Sequence, residues 1–175
     1  KELERMEWLI TTLLKISKLD SGSIKLKKEN IKISNIIASS LEALGIAIEL
    51  KNINIVTNNL DFNLICDFNW TKEALINILK NAIEHLGDGG TITISGDDNP
   101  LYFGITITDN GPGIKREDIK NIFKRFYSTN TTKNSIGIGL NMAKLIIEHQ
   151  NGKIEVKSRL GEYTTFKIIF SKNDY

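Results

Sequence analysis

The segment Ile105-Thr106-Ile107-Thr108-Asp109-Asn110-Gly111-Pro112-Gly113 alternates apolar and polar side chains and then enters an acidic, glycine-rich turn. Such alternation is typical of a β-strand with one buried face. A carboxylate at the end of a buried strand needs a hydrogen-bond donor, and for Asp109 the exocyclic amine of adenine would be one. Gly111 and Gly113 would let a ring approach the backbone closely. An ordinary strand-to-helix turn is the alternative explanation.

A helix upstream of this strand carries two asparagines on one face. The apolar spacing predicts a helix over 70–86, on which Asn77 and Asn81 lie one turn apart and Glu73 lies a further turn back. An amide oxygen is a hard ligand that suits Mg²⁺ in company with phosphate oxygens. A hydrogen bond between packed helices is the alternative explanation for two amides beside an apolar stripe.

A glycine-rich entry precedes a second helix downstream. Gly137-Ile138-Gly139-Leu140 leads into a helix predicted over 139–150, and the unpaired N–H groups at such an N-terminus favour phosphate. Met142 stands where the dinucleotide fingerprint has its third glycine, and the chain has no Gly-x-x-x-x-Gly-Lys-Ser/Thr motif. A flexible loop entering a helix is the alternative explanation.

Two phenylalanines and an arginine lie between these motifs. Phe123 and Phe126 lie three residues apart at the end of a short helix predicted over 115–123. Core packing explains the pair. Arg125 borders a polar stretch over 127–135 that lacks periodicity and is predicted to be mobile. The Arg125 guanidinium could swing onto a phosphate.

The mixture of helices and hairpin-connected strands predicts an α+β fold with one sheet covered on one face. Apolar periodicity predicts a first helix that ends near Ser21 and a second helix over 34–50. Alternation predicts a strand over 24–27, which residues 30–33 could extend. It also predicts strands over 53–60, 64–67, 91–95, 102–108, 154–157 and 164–170.

The composition excludes several other classes of protein. The chain has 175 residues, enough for one core, and its formal net charge is +2. Since that charge sets up no large field, we expect no nucleic-acid partner and no direct membrane contact. A single cysteine, Cys66, excludes an internal disulfide and a cysteine-based zinc site. No uncharged apolar run approaches the roughly 20 residues that span a bilayer, and the chain opens within a helical pattern, as a piece of a longer protein would.

The order of the motifs resembles the ATP-binding domain shared by sensor histidine kinases, gyrase, the Hsp90 chaperones and the MutL proteins. Asn-x-x-x-Asn-Ala, Asp-x-Gly-x-Gly, Phe-x-x-Phe and Gly-x-Gly follow one another and precede Thr164-Thr165-Phe166. The resemblance covers residues 31–170. The histidine kinase branch is nearest, because residues 14–22, Leu-Lys-Ile-Ser-Lys-Leu-Asp-Ser-Gly, resemble the end of the second helix of its dimerisation and phosphoacceptor hairpin.

The resemblance implies a two-layer α/β sandwich of the Bergerat type, with a mixed, mainly antiparallel sheet backed by three helices and preceded by one long helix. Residues 1–22 would be the C-terminal part of the hairpin helix, with an apolar stripe for a homodimer partner. Residues 23–175 would be the catalytic domain, which binds ATP and Mg²⁺ under a lid over 123–135.

The resemblance also implies roles for individual residues. Asn81 would hold Mg²⁺, Asn77 would support the phosphate region, and Arg125 would assist the γ-phosphate. Asp109 would accept the adenine amino group. The other residues that the resemblance brings to the nucleotide site are His85, Gly111, Gly113, Phe126, Gly137, Gly139, Leu140 and Thr165.

Three positions depart from the family pattern. Glu84 stands where a lysine near phosphate is usual, His85 stands where an aromatic side chain commonly lies against adenine, and Tyr163 stands where a second glycine is common. The charge reversal at Glu84 weakens the expectation of phosphate contacts from that turn.

These features together predict a protein-histidine kinase fragment, which transfers the γ-phosphoryl group of Mg-ATP to a histidine for relay to a response regulator receiver domain. Gyrase-like ATPases carry a glutamate where this chain has Asn77, so attack by water should be slow. Neither His85 nor His149 has the flanking residues of a phosphoacceptor, so we expect the acceptor on an upstream helix. The chain would then be the cytoplasmic portion of a membrane-anchored bacterial sensor.

Two other functions stay open from the sequence. A stand-alone ATPase of the gyrase and chaperone type would need a base, for which Glu73 and Glu84 are available. A nucleotide-free interaction module would keep the glycine motifs as loops, and the departures at Glu84 and Tyr163 support it.

Overall fold

The computed structural model describes residues 2–128 and 136–172, along which helices and strands are mixed. The helices are α1 Glu2–Asp20, α2 Ile33–Ala43, α3 Gly45–Leu50, α4 Phe68–His85, α5 Arg116–Ile119 and α6 Gly139–His149. The strands are β1 Lys28–Lys32, β2 Asn54–Asn58, β3 Asn63–Asp67, β4 Thr91–Asp98, β5 Tyr102–Asp109, β6 Gly152–Arg159 and β7 Tyr163–Ser171.

The main sheet is mixed and has the strand order β2-β4-β5-β7-β6. Strand β2 pairs with β4 in parallel, and the other neighbours pair antiparallel. In the register of β5 and β7, Asp109 lies opposite Thr164 and Thr108 lies opposite Thr165. Because side chains alternate along a strand, these two pairs face opposite sides of the sheet.

The core lies between one face of this sheet and helices α2, α4 and α6. The residues of β7 that point into it alternate, and they are Thr164, Phe166, Ile168 and Phe170. The buried face of α4 consists of Thr71, Ala74, Leu75, Ile78, Leu79, Ala82 and Ile83. Burial of each leucine or isoleucine side chain contributes about 1.5–3 kcal/mol. The predicted α+β fold, with a mixed sheet packed against helices, is therefore confirmed.

Three predicted elements have different bounds in the structure. Residues 24–27 are not a strand, because the pairing begins at Lys28, where β1 joins β3 in a separate two-stranded sheet. The helix predicted over 34–50 is interrupted at Leu44, which lies next to Gly45, and glycine weakens a helix interior. The helix predicted over 115–123 ends at Ile119 and continues only as hydrogen-bonded turns.

Helix α1 packs against α6, and its Ile16 and Leu19 are 2% and 0% exposed within the same core. The opposite side of α1 keeps the apolar stripe predicted from the sequence, which is exposed at Leu3, Met6, Ile10, Leu13 and Leu14. The division of the chain after residue 22 stays a prediction. Among the described residues, no helix has both the length and the apolar character that crossing a membrane requires.

Candidate functional site

A cavity of about 240 Å³ opens where α4, the turn after β5, the start of β7 and the start of α6 meet. Apolar walls and a few convergent polar groups are typical of a small-molecule site. The predicted site residues that line this cavity are Asn77, Asn81, His85, Asp109, Gly113, Gly137, Gly139 and Leu140. The structure therefore brings together motifs that are far apart in the sequence.

Asp109 ends β5 at the wall of the cavity and is 4% exposed. Its Oδ1 accepts a hydrogen bond from the Gly111 N–H at 3.0 Å, and the backbone N–H of Thr164 also donates to this carboxylate. Burial raises the pKa of the Asp109 carboxyl, while these donors and the nearby His85 pull it in the other direction. A buried carboxylate on a cavity wall can accept a hydrogen bond from a ligand.

Helix α4 presents a row of polar side chains to the cavity. Asn77, Asn81 and His85 follow one another at intervals of one turn, and Glu84 lies beside them. The row exists because the opposite side of α4 is apolar and buried in the core. The amide and carboxylate oxygens in it suit a hard cation.

The C-terminal turn of α4 is fixed by a side chain from outside the helix. The ammonium group of Lys51 donates hydrogen bonds to the carbonyl oxygens of Ile83, Glu84 and Leu86 at 2.6, 3.1 and 2.9 Å. These carbonyls belong to the helix end, where intrahelical partners run out. Lys51 thus holds the turn that carries Glu84 and His85.

Asn77 and Gly139 bring α4 and α6 into close contact at the cavity. Nδ2 of Asn77 donates to the Glu73 carbonyl oxygen at 2.9 Å, and this bond fixes the orientation of the amide. A Cβ atom at Gly139 would lie 2.9 Å from Oδ1 of Asn77, which is too close for an ordinary contact. No side chain of the described residues caps the N-terminus of α6, so its first N–H groups are available to an anion.

The structure shows a further reason why three of the predicted positions require glycine. A Cβ atom at Gly111 would lie 2.7 Å from Oδ1 of Asp109, so this glycine makes room for the carboxylate and is not itself part of the cavity lining. Gly137 has φ 71°, and its Cβ would collide with the backbone of Tyr127. Gly113 has φ 68° and lies equally close to the Arg159 carbonyl group.

Like Gly111, the predicted site residues Arg125 and Phe126 lie outside the cavity lining. Arg125 donates from Nη2 to the carboxylate of Asp20 and from Nε to Oδ1 of Asn141 at 3.3 Å. Phe126 is 62% exposed and has a φ of 62°, whereas Phe123 packs edge-on against Phe166. Residues 129–135 of the predicted lid lie outside the described residues.

Thr165 also lies away from the cavity, on the other face of the sheet. Its hydroxyl pairs with that of Thr108 at 2.9 Å, whereas the neighbouring Thr164 is buried and lines the cavity beside Asp109. Strand parity could have given this result, because Thr164 has the same parity as the apolar residues Phe166, Ile168 and Phe170. The correction exchanges Thr165 for Thr164.

Five further polar residues of the described cavity lining were not among the predicted site residues. They are Lys80, Lys115, Asp118, Tyr127 and Ser128. The Tyr127 hydroxyl donates to the Asp118 carboxylate, and this bond raises the pKa of Tyr127. Lys80 directly precedes Asn81 and Tyr127 directly follows Phe126, so proximity to the motifs was the available signal.

Comparison with known proteins shows what this arrangement is similar to. Residues 66–174 match the profile of a family described as histidine kinase-, DNA gyrase B- and HSP90-like ATPases. The chain is 31% identical over 181 residues to the sensor protein SrrB of Staphylococcus aureus, covering 98% of this chain and 30% of that protein. It is 30% identical to the heme sensor protein HssS of Staphylococcus saprophyticus, covering 94% of this chain and 36% of that protein. The chain thus spans about a third of the length of these relatives.

Solved structures agree with these matches. The catalytic domain of the histidine kinase ThkA, in a nucleotide-free form, is 27% identical with a TM-score of 0.75 and covers 84% of this chain and 97% of that domain. The histidine kinase AdeS of Acinetobacter baumannii shares the fold with a TM-score of 0.84 at 23% identity, over 98% of this chain and 80% of that chain.

Proposed function

The chain belongs to the family of histidine kinase-, DNA gyrase B- and HSP90-like ATPases, and from this membership we propose that it is the catalytic, ATP-binding part of a sensor histidine kinase. It would transfer the γ-phosphoryl group of Mg-ATP to a histidine that residues 1–175 do not supply. The similarity to SrrB, HssS and the ThkA catalytic domain supports the kinase branch of the family.

One observation carries the proposal: a buried carboxylate and the uncapped end of a helix face the same cavity. Asp109 would accept the adenine amino group on one wall. The N–H groups at the start of α6, near Gly139, would bind phosphate oxygens on the other wall. Thr164 would lie beside the base, in the role that the family resemblance implied for Thr165.

The donor set of α4 fits Mg²⁺. This ion prefers oxygen ligands, keeps several waters and takes further oxygens from phosphates. Asn81 lines the cavity with an amide group, and Asn77 is held by its bond to Glu73 next to the start of α6. Asn81 would hold the metal, which neutralises charge on the phosphates when bound, and Asn77 would support the phosphate region.

The surroundings of Glu73 favour phosphoryl transfer over hydrolysis. Oε1 of Glu73 accepts a hydrogen bond from Lys15 on α1 at 3.1 Å, and Glu73 is not part of the described cavity lining. Glu73 therefore does not lie where a base for water would act. Glu84 does line the cavity, so a variant of it belongs in the test below. Transfer to an imidazole needs positioning and charge neutralisation more than a strong base.

The partners follow from the proposed reaction. The acceptor histidine would lie on an upstream helix, and the exposed apolar stripe of α1 would pack against a second copy in a helix bundle. A response regulator receiver domain would take the phosphoryl group. The chain would work in the cytoplasmic portion of a membrane-anchored bacterial sensor.

The test is phosphorylation with γ-labelled ATP. The fragment alone should give no phosphohistidine and no rapid phosphate release, and label should appear on the acceptor helix when a polypeptide carrying that helix is added. Steady-state phosphate release that is abolished by Glu73→Ala or by Glu84→Ala would support the stand-alone ATPase instead. Absence of Mg-ADP binding in calorimetry would support a nucleotide-free module.

A further inference from the structure

The cavity holds more negative than positive side chains. Its described lining contains the carboxylates of Glu84, Asp109 and Asp118 against the ammonium groups of Lys80 and Lys115. A triphosphate carries several negative charges of its own. A cavity with this balance cannot hold a polyphosphate well unless a cation binds with it.

The three carboxylates have different surroundings. Asp109 is buried and accepts backbone hydrogen bonds at the far wall. Asp118 accepts the hydrogen bond of the Tyr127 hydroxyl. Glu84 forms an ion pair with Lys80, and at 3.9 Å this pair is long. Glu84 is therefore the carboxylate that can turn to a cation with the least loss.

Glu84 also lies where such a cation is expected. It follows Asn81 by three residues on α4, so the two side chains are neighbours on one helix face, and both line the cavity. The backbone at Glu84 is fixed, since its carbonyl oxygen accepts a hydrogen bond from Lys51 at 3.1 Å. A carboxylate and an amide one turn apart on a rigid helix are hard oxygen donors of the kind that Mg²⁺ takes.

We propose that Glu84 is a second protein ligand of the magnesium ion, together with Asn81, and that nucleotide binding by this chain depends strongly on the metal for that reason. The proposal rests on the function proposed above. Glu84 stands where the family pattern has a lysine near phosphate. In this chain the carboxylate of Glu84 would bind the metal, and the metal would neutralise the phosphate charge that the lysine neutralises in the family pattern.

The test is calorimetry of ADP binding at a series of magnesium concentrations, with the parent chain, Glu84→Gln and Glu84→Lys. The matched control is Glu148→Gln, because Glu148 on α6 has the same ion-pair spacing to Lys144, at 3.7 Å, and does not line the cavity. In Glu84→Gln we expect the stimulation of ADP affinity by magnesium to fall about tenfold or more. In Glu84→Lys the metal-free affinity should also rise. The control should behave as the parent does.

A second readout separates ligation from simple charge repulsion. Mn²⁺ replaces Mg²⁺, and the relaxation of water protons reports how many waters remain on the metal in the ADP complex. Loss of a protein ligand in Glu84→Ala should admit one additional water. A fall in magnesium stimulation with unchanged hydration would overturn the ligand assignment, as would unchanged stimulation. Failure of the parent to bind ADP with magnesium would instead reject the proposed function.

Discussion

Arg125 and Asp20 form an ion pair that joins the segment after α5 to the last residue of α1. The pair holds outside the cavity the side chain that the family resemblance assigns to the γ-phosphate. Both side chains are partly exposed, at 43% and 41%, and such pairs contribute about 0–1 kcal/mol. A modest change in the position of α1 would therefore be enough to release Arg125.

We expect Asp20→Ala to raise the affinity for a non-hydrolysable ATP analogue about two- to fivefold relative to ADP, because it frees Arg125 for the γ-phosphate. The measurement is calorimetry with both nucleotides. Arg125→Ala should remove the preference in the Asp20→Ala background. An unchanged ratio of the two affinities in Asp20→Ala would show that Arg125 does not reach the γ-phosphate.

Removal of the Asp109 carboxylate should weaken Mg-ADP binding by about 1–3 kcal/mol, or roughly 5- to 150-fold, because the adenine amino group loses its acceptor. Calorimetry measures this change. Asp61→Ala, which removes an exposed carboxylate that pairs with Lys32, is the control and should bind as the parent does. Equal affinities of parent and Asp109→Ala would contradict the assignment of the adenine wall.

Adenine binding should weaken at a higher pH than it would if Asp109 had the pKa of an ordinary carboxyl group. Burial raises the pKa of Asp109, and the ionised form is the stronger acceptor for the amino group, so affinity falls as pH drops through that raised value. The free energy of unfolding should change in the opposite direction and rise as the pH falls. The folded state binds this proton more tightly than the unfolded state, so Asp109 adds to the free energy of unfolding as pH falls from above the raised pKa towards 3.8. Urea unfolding and calorimetry of parent and Asp109→Asn across this range check both signs, and identical profiles would contradict them.

Gly139→Ala should weaken nucleotide binding, because the added Cβ would press on Oδ1 of Asn77 and displace the amide that its bond to the Glu73 carbonyl holds in place. The expected loss of stability is about 1–3 kcal/mol. Gly87→Ala is the matched control, since a Cβ there meets nothing within 4 Å and no positive φ is involved. Chemical denaturation together with Mg-ADP titration would show the difference, and equal behaviour of the two variants would refute it.

Lys51→Met should destabilise the chain by about 1–3 kcal/mol, because the carbonyls of Ile83, Glu84 and Leu86 lose a charged donor. Lys51→Arg should recover part of the loss. Lys32→Met removes a lysine whose pair with Asp61 is exposed, and it should have little effect. Urea midpoints measure the stability of all three variants. A midpoint for Lys51→Met equal to that of the parent would show that the hydrogen bonds of Lys51 do not stabilise the end of α4.

The sequence predicted the elements whose periodicity is strong and the site residues that lie on them. The helix over 70–86 and the strand over 102–108 match α4 and β5 within two residues, and Asn81 and Asp109 on these two elements both line the cavity. Two carboxylates of the cavity were predicted poorly. Asp118 lies on a short helix and had no predicted role, and Glu84, a departure from the family pattern, was considered only as a base for water. Local pattern carries little information in either place.

The remaining differences have one long-range cause and two local ones. The position of Arg125 depends on Asp20, which is 105 residues away in the chain, and no local pattern reports such a contact. The exchange of Thr165 for Thr164 came from reading a motif without its strand parity. The break at Leu44 arises from a glycine within a helix that is otherwise regularly apolar.

The register that sets Asp109 opposite Thr164 also has a consequence during synthesis on the ribosome. Strand β7 emerges long after β5, and the backbone N–H of Thr164 is one of the groups that hold the Asp109 carboxylate. Pairing between such distant segments is slow to form and comes late. A nascent chain should therefore acquire its capacity to recognise a purine only after β7 has left the exit tunnel.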